Sequence, residues 1–507
     1  MAIKLTAPRL MRRWPTTVGL IGVAVVAAFF RLWHLDTLPP GLSGGEAAIG
    51  LSALALVHHG TWPMLTASDG YAPLWTLLQA TAVAIFGHTA LALRIWPAIV
   101  GFAAVGAVWL LAKDWFGTRV AWVSAVIMAV NPWAVTLSRS AGPAVLATFL
   151  VPITLWVSAR AATRNQPTWW LLSAALLVIN LFAGPLGWVT ALAVGVLAVV
   201  TLITRQPTFG SPVSWIALAV AGIASLATLG TLIFEHRQVS DLITAAQASS
   251  KLATLVTTFG KVAGMFNLHG DDNFLHNFNG EPMFNAFVGL MFVAGLLVAL
   301  TKLPKRRYLA TLVAFVILML PALASPLGSP NAAHAAAALP IAVILAGVGV
   351  GYMLELWHAT FPINSAARST GLAAILLLLA LTVFQGYIQI FRAWSGSAQT
   401  YTAFNEAAVA ASKYLASSHG ANKILVASTD EQTVVAYLSY GQTYQAMNAA
   451  GVIALPVSTA GHQFIITATV RDETARNLAA KFAGGKLAPH YSSFSQNELY
   501  YDYETTQ

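Results

Sequence analysis

The stretch "PLWTLLQATAVAIFG", residues 73–87, decides how this chain is laid through a membrane. It is apolar throughout, but its fifteen residues fall short of the roughly 20 that a spanning helix needs. It opens on Pro73, which a first helical turn tolerates. Apolar segments fall near 17–33, 73–87, 94–112, 120–137, 145–160, 168–182, 186–204, 213–234, 283–300, 308–325, 337–357 and 370–392. If all twelve cross, both chain ends lie on one side. The basic residues argue against that. They cluster at the N-terminus, at Lys113/Arg119, Arg160/Arg164, Arg205, Lys302/Lys305/Arg306/Arg307 and Arg368. All six clusters share the cytoplasmic side only if one segment before 113 does not cross. Segment 73–87 is short enough to lie along the interface instead. The expectation is eleven spans, a cytoplasmic N-terminus and an extracytoplasmic C-terminus.

Composition sets the class. The chain has 507 residues, 57% hydrophobic and only 9% charged, where soluble domains carry about 25% charged residues. Mean hydropathy is +0.69. This is the profile of a polytopic, all-α membrane protein. The net charge of +9 sits mostly in short connectors, where it orients spans, and does not point to nucleic acid. The absence of cysteine excludes disulfides, thiolate catalysis and cysteine metal sites. "FFRLWHLD" offers no small-residue cleavage site, so the first apolar run reads as an uncleaved span.

Two parts follow: a transmembrane module over 1–392 and a polar region over 393–507. The second has strand-like runs "KILVAS" and "HQFIITATV" and helix-like runs "AFNEAAVAASKYLASS" and "DETARNLAAKFAGG". It reads as a small α/β domain, large enough to fold alone. The outer face then holds a first loop over 34–93, a large loop over 235–282, two short loops and this domain.

Polar chemistry gathers on that face. Of ten acids before residue 393, only Asp114 and Glu355 fall inside. Asp36, Glu46, Asp69, Glu235, Asp241, Asp271, Asp272 and Glu281 fall outside, beside Arg94, Arg139, Lys251 and Lys261. Acids near a bilayer are costly and mark sites. Cations hold a phosphate, and a carboxylate takes a proton from a hydroxyl. Plainer roles compete. Asp36 caps the end of the first span, and Asp69 in "SDGY" is a turn acid. Arg94 and Arg139 snorkel to headgroups. "HGDDNFLHN" (269–277), with His269, Asp271, Asp272 and His276, is either a divalent-metal site or an ordinary polar loop.

These motifs together resemble the lipid-dependent GT-C glycosyltransferases. That group includes protein O-mannosyltransferases, aminoarabinose lipid A transferases and bacterial family 39-type members. The resemblance runs through "RLWHLDTLPPGLSGGEAAIG", "NPWAVTLSRSAGPAVLATF", "GMFNLHGDDNFLHNFNGEPMFNAFVG" and "SPNAAHAAAALP", in that order, and covers nearly the whole length. It implies a polyprenyl-phosphate-linked sugar as donor and a glycan, lipid or protein acceptor. It also implies an active site on the outer loops. Where the family usually has Asp-Glu in the first loop, this chain has Gly45-Glu46, and His334 stands where Arg is common. Ser138 and Arg139 of "SRSAG", Lys251 and the GDDN loop are kept. The expected assignment makes Glu46 the base and Arg139, Lys251, Arg94 and Lys261 the phosphate-binding cations. Asp36, Asp69, Ser138, Asp271, Asp272, Asn273, His276 and His334 are further outer-loop candidates. No cofactor is assigned, with a divalent metal left open. Loss of the Asp leaves a second reading, a non-catalytic relative that binds lipid-linked sugars. A transporter is the third. It is disfavoured by acids that gather in loops rather than at mid-membrane.

Overall fold

The computed structural model describes residues 14–60, 73–164, 166–203, 219, 222–223, 251–323, 325, 330–417, 422–455, 462–482, 485–492 and 497–504. Helices dominate: α1 (Trp14–Leu32), α2 (Gly44–His59), α3 (Pro73–Phe86), α4 (Ala90–Phe116), α5 (Thr118–Val130), α6 (Pro132–Arg139), α7 (Ala144–Arg164), α8 (Pro167–Phe182) and α9 (Pro185–Ile203). There follow α10 (Lys251–Gly264), α11 (Ala286–Thr301), α12 (Arg306–Leu318), α13 (Leu320–Leu323), α14 (Leu339–Thr360) and α15 (Ser365–Ile388), the last running into a π-helical turn over Gln389–Trp394.

Among the described residues, five helices are long and apolar enough to span a membrane, and α5 with α6 makes a sixth bent by 53°. Shorter apolar helices include α1, α3, α8, α9 and α11. Side chains such as Ile21, Leu171, Leu290, Val316 and Phe384 remain outward and exposed, as a lipid-facing surface requires. The expected span over 213–234 lies outside the described residues. α3 is a fourteen-residue helix packed on α2 and α4, its Trp75 and Gln79 buried.

Local chemistry sets the breaks. Segment 120–137, expected as one span, is interrupted at Asn131-Pro132. Pro132 takes the first position of α6, and the Asn131 side chain accepts from the Ala134 amide at 3.2 Å. Gly117, at φ 94°, lets α4 turn directly into α5. Small residues let helices approach: α11 and α14 cross where Gly295 and Gly349 each face the other helix's backbone, leaving no room for a Cβ. Among the described residues, the basic connectors at 113–119, 160–164 and 302–307 come together. There Arg160 pairs with Asp114 at 2.6 Å, and Arg307 donates to the Trp115 carbonyl.

Beyond α16 (Ala398–Ala403) and α17 (Glu406–Ser417) lies a five-stranded sheet of β1 (Asn422–Val426), β2 (Gln445–Met447), β3 (His462–Thr467), β4 (Lys486–Tyr491) and β5 (Glu498–Glu504). The strand order is β2-β1-β3-β5-β4, with β1 parallel to β2 and β3, and β5 antiparallel to β3 and β4. The crossover after β1 is α18 (Thr429–Leu438). Alternation along the strands makes two cores. Ile424, Val426, Phe464 and Ile466 pack with Leu478 and Tyr503. Leu425 and Ile465 pack the other way, with Val434, Tyr437 and Leu415, and that core continues into Leu42, Ala47, Leu54, Val83 and Leu93. The sheet therefore shares a core with α2, α3 and α4. That joint burial differs from the expectation of a domain that stands alone.

Candidate active site at the loops facing the C-terminal domain

Between α1 and α2 the chain runs through residues 33–43 without regular structure, so many of its carbonyls lack helical partners. Of three fully buried arginines, Arg139 and Arg94 supply them, and Arg31 ties α1 to the end of α5. Arg139, at the end of α6, donates from Nη1 to the Phe30 carbonyl at 3.0 Å. Its Nη2 reaches the carbonyls of Trp33, His34 and Leu38 at 2.7, 3.2 and 3.0 Å. The Phe391 ring lies 5.4 Å beneath its guanidinium. Arg94, on α4, donates to the carbonyls of Pro39 (2.8 Å) and Gly41. Arg31, on α1, reaches across to the carbonyls of Met128 and Ala129 at the end of α5.

Glu46 completes this arrangement. Ser43 and Glu46 form a capping box at the start of α2: the Ser43 hydroxyl accepts from the Glu46 amide, and Glu46 Oε2 accepts from the Ser43 amide at 2.9 Å. Oε1 accepts from the Ala141 amide at 2.7 Å, and Arg94 Nη2 lies 3.8 Å from Oε2. The carboxylate is 4% exposed.

This geometry bears on the expected roles of four residues. Glu46 is placed as a cap: both oxygens take backbone amides, whereas a base must present a lone pair to its substrate. Arg94 and Arg139 are placed as carbonyl clamps: their Nη groups hold backbone carbonyls and their Nε atoms are buried without a partner. Ser138 is likewise internal, its hydroxyl 2.5 Å from the Ala134 carbonyl. Asp36 is exposed on the loop beyond α1 and acts electrostatically on Arg94. Gly45 is exposed, and a Cβ there would meet nothing within 4 Å.

A second group lies across α6. Asp271 is buried. Its Oδ1 accepts from the Asn273 amide (2.8 Å) and its Oδ2 from the Ala332 amide (2.7 Å), and His276 Nδ1 lies 3.4 Å from Oδ2. Asn273 shapes the turn by accepting from the Leu275 amide. Asp272 pairs with His269 at 3.0 Å in an exposed position. Asp69 lies outside the described residues, as does the Lys251 side chain; Lys261 is exposed on α10. Asp271 and His276 offer one carboxylate already bonded to amides and one imidazole, a set that does not fit a divalent ion. Among the described residues no three His, Asp or Glu side chains group to hold one.

The titration of this group has a definite sign. Burial works to raise the Asp271 carboxyl, but hydrogen bonds from His276 and the Ala332 amide outweigh it and hold the group below its ordinary 3.8. His334 falls below its ordinary 6.5, chiefly through burial and then through His276, with Asp271 opposing. A neutral buried His contributes stability that is present above its unfolded value and lost as pH falls through 6.5 toward the folded one. Thermal stability should therefore decline on acidification below about pH 6.5, and His334→Asn should flatten that decline. An identical slope in the variant, measured by differential scanning fluorimetry in detergent, would remove His334 as the cause.

Short helix α6 joins the two groups. Arg139 at its C-terminal end holds the first loop. Asn131 Nδ2 donates to the Met283 carbonyl, Trp133 Nε1 to the Ala332 carbonyl and the Thr136 hydroxyl to the His276 carbonyl, all at 2.8–3.0 Å. Trp394, in the π-helical turn, donates to the Phe274 carbonyl at 2.8 Å. Sequence reasoning missed Arg31, Trp133 and Trp394. The Asn131-Pro132 signal at the start of α6 was the readable clue.

A family model described as dolichyl-phosphate-mannose-protein mannosyltransferase matches residues 71–233. Two solved structures are similar over nearly the full chain. ArnT from Cupriavidus metallidurans bound to undecaprenyl phosphate superposes with a TM-score of 0.58 at 14% identity, covering 97% of this chain and 98% of that one. The archaeal oligosaccharyltransferase AglB from Archaeoglobus fulgidus, in complex with an inhibitory peptide and a dolichol-phosphate, gives 0.54 at 15% identity, covering 98% and 75%. Comparison with curated proteins gives no match. The chain is a multi-pass membrane protein with the GT-C fold and a small C-terminal sheet domain.

Proposed function

We propose that this GT-C-fold chain is an integral membrane glycosyltransferase. It takes a sugar from a polyprenyl-phosphate donor at the outer face of the plasma membrane and passes it to a hydroxyl of a lipid, glycan or protein acceptor. The N-terminus is then cytoplasmic and the sheet domain extracytoplasmic. One observation carries the reading: α6 fastens the first loop, the 265–285 loop and the 331–338 loop into one assembly. Preorganised loops of this kind are what transfer between two bound substrates needs. The family model over 71–233 and the fold shared with ArnT and AglB support it.

The reaction is a displacement at the anomeric carbon. The acceptor oxygen forms a bond to that carbon, the bond to the donor phosphate oxygen breaks, and polyprenyl phosphate leaves with the electron pair. With Arg94 and Arg139 committed to carbonyls, Lys261 and Lys251 are the cations proposed for the leaving phosphate. Gly45 and the capped Glu46 favour one alternative, a non-catalytic relative that binds lipid-linked sugars and assists envelope glycan assembly.

Reconstitution in liposomes with a labelled polyprenyl-phosphate sugar and an acceptor extract from the source membranes separates the two. Label transfer supports the enzyme. Saturable donor binding with no transfer supports the alternative, and neither binding nor transfer sinks both.

A further inference from the structure

The sheet domain places a side chain where α2 has none. Helices α2 and α18 lie side by side. A Cβ on Gly44 would sit 3.0 Å from both Cγ and Oδ1 of Asp430, and one on Gly50 would sit 2.5 Å from the Tyr437 ring. Six residues along α2 thus match seven along α18, so the helices run parallel with their first turns together. Both start with a capping box, "SGGE" at 43–46 and "STDE" at 428–431, whose glutamates turn back on their own serines. The residue before the glutamate is Gly45 in one and Asp430 in the other.

Asp430 differs from the amide-bound and paired acids of this face, as does the exposed Asp36 on the first loop, but it is Asp430 that is placed against Gly44. It is exposed, and its carboxylate makes no hydrogen bond or ion pair with any described residue. Glu46 and Asp271 are consumed by amides. Glu431 accepts from Ser428, Thr467 and Thr469. Asp272 pairs with His269. The position of Asp430 is also fixed. The Tyr437 hydroxyl donates to the Thr89 carbonyl at 3.1 Å, His88 Nδ1 lies 2.9 Å from the Leu438 carbonyl, and the core shared by α2 and α18 lies between. The carboxylate therefore stands against the bare backbone of Gly44, beside the open space at Gly45.

We propose that Asp430, carried by the C-terminal domain, is the catalytic carboxylate that takes the acceptor's proton. This rests on the transfer reading above. As the acceptor oxygen bonds to the anomeric carbon and polyprenyl phosphate departs with the electrons of the broken bond, the hydroxyl proton passes to Asp430 Oδ. The role also gives the sheet domain a function: it completes the site from above rather than only covering it.

The test is turnover of full-length protein in liposomes, comparing wild type, Asp430→Asn and the double variant Gly45→Asp/Asp430→Asn. Positioned acid–base groups contribute about 10²–10⁴-fold. Asp430→Asn should lose turnover on that order, keep the donor KM, melt only slightly lower through loss of one first-turn carboxylate, and lose the acidic limb of the pH–rate profile. The double variant should recover part of the loss, since the Gly45 position is open. Wild-type transfer with Asp430→Asn unimpaired overturns the assignment and leaves the transfer reading standing. A wild type that binds donor without transferring overturns both.

Discussion

Arg139→Leu is expected to cost about 4 kcal/mol of stability and to release the first loop. The estimate follows from the carbonyls it strands. Phe30, Trp33 and Leu38 lose the arginine as donor, whereas the His34 carbonyl keeps the Leu38 and Thr37 amides, and a buried polar group left unpaired costs about 1–3 kcal/mol. Water entering from the loop end satisfies some of them, so the total stays below the sum. Removal of a buried charge offsets part of the loss as well. Arg139→Lys should recover only a fraction, because an ammonium is a point charge and cannot span carbonyls from four residues as a planar fork does. Two measurements check this: the melting temperature in detergent, and protease sensitivity of the 33–43 segment. If Arg139→Leu instead melts like wild type and only weakens donor binding, the arginine is a phosphate ligand after all.

How much of this was legible depends on which interactions are local. The class, the helical segments and the short α3 follow from composition and run length, because a bilayer forces backbone hydrogen bonds within each segment. The order of the loop motifs was readable too. The roles of the buried arginines were not. An arginine near a membrane face looks the same whether it faces phosphate or the chain's own carbonyls. The answer depends on where residues 33–41 run, and that is a tertiary fact. Glu46 is a different case, since the Ser43–Glu46 spacing is a local signal for a cap. Expecting a base there takes the acid without its partner three residues earlier. Asp430 lies 386 residues after Gly44, and no local pattern links them. Only the packing of α18 on α2 does so.

Glu46 therefore separates two kinds of loss. Glu46→Gln keeps an oxygen for one amide but puts an NH₂ against the other, and it removes the charge facing Arg94 at 3.8 Å. Breaking a buried pair by removing one partner costs about 3–5 kcal/mol. The amide retains some hydrogen bonding, so the expected cost lies near 3 kcal/mol, with Glu46→Ala losing more. Activity should fall along with stability, and the pH–rate profile of whatever folds should keep its shape, because the group is not the one that titrates during transfer. Gly45→Asp is the matched contrast one residue away. Its side chain enters open space, glycine's helix penalty of roughly 0.5–1 kcal/mol disappears, and a carboxylate in the first turn is favoured by the helix dipole. That variant should melt at or above the wild-type temperature. If Glu46→Gln instead keeps full stability and loses only turnover, with the acidic limb of its profile gone, Glu46 is the base and the cap is incidental.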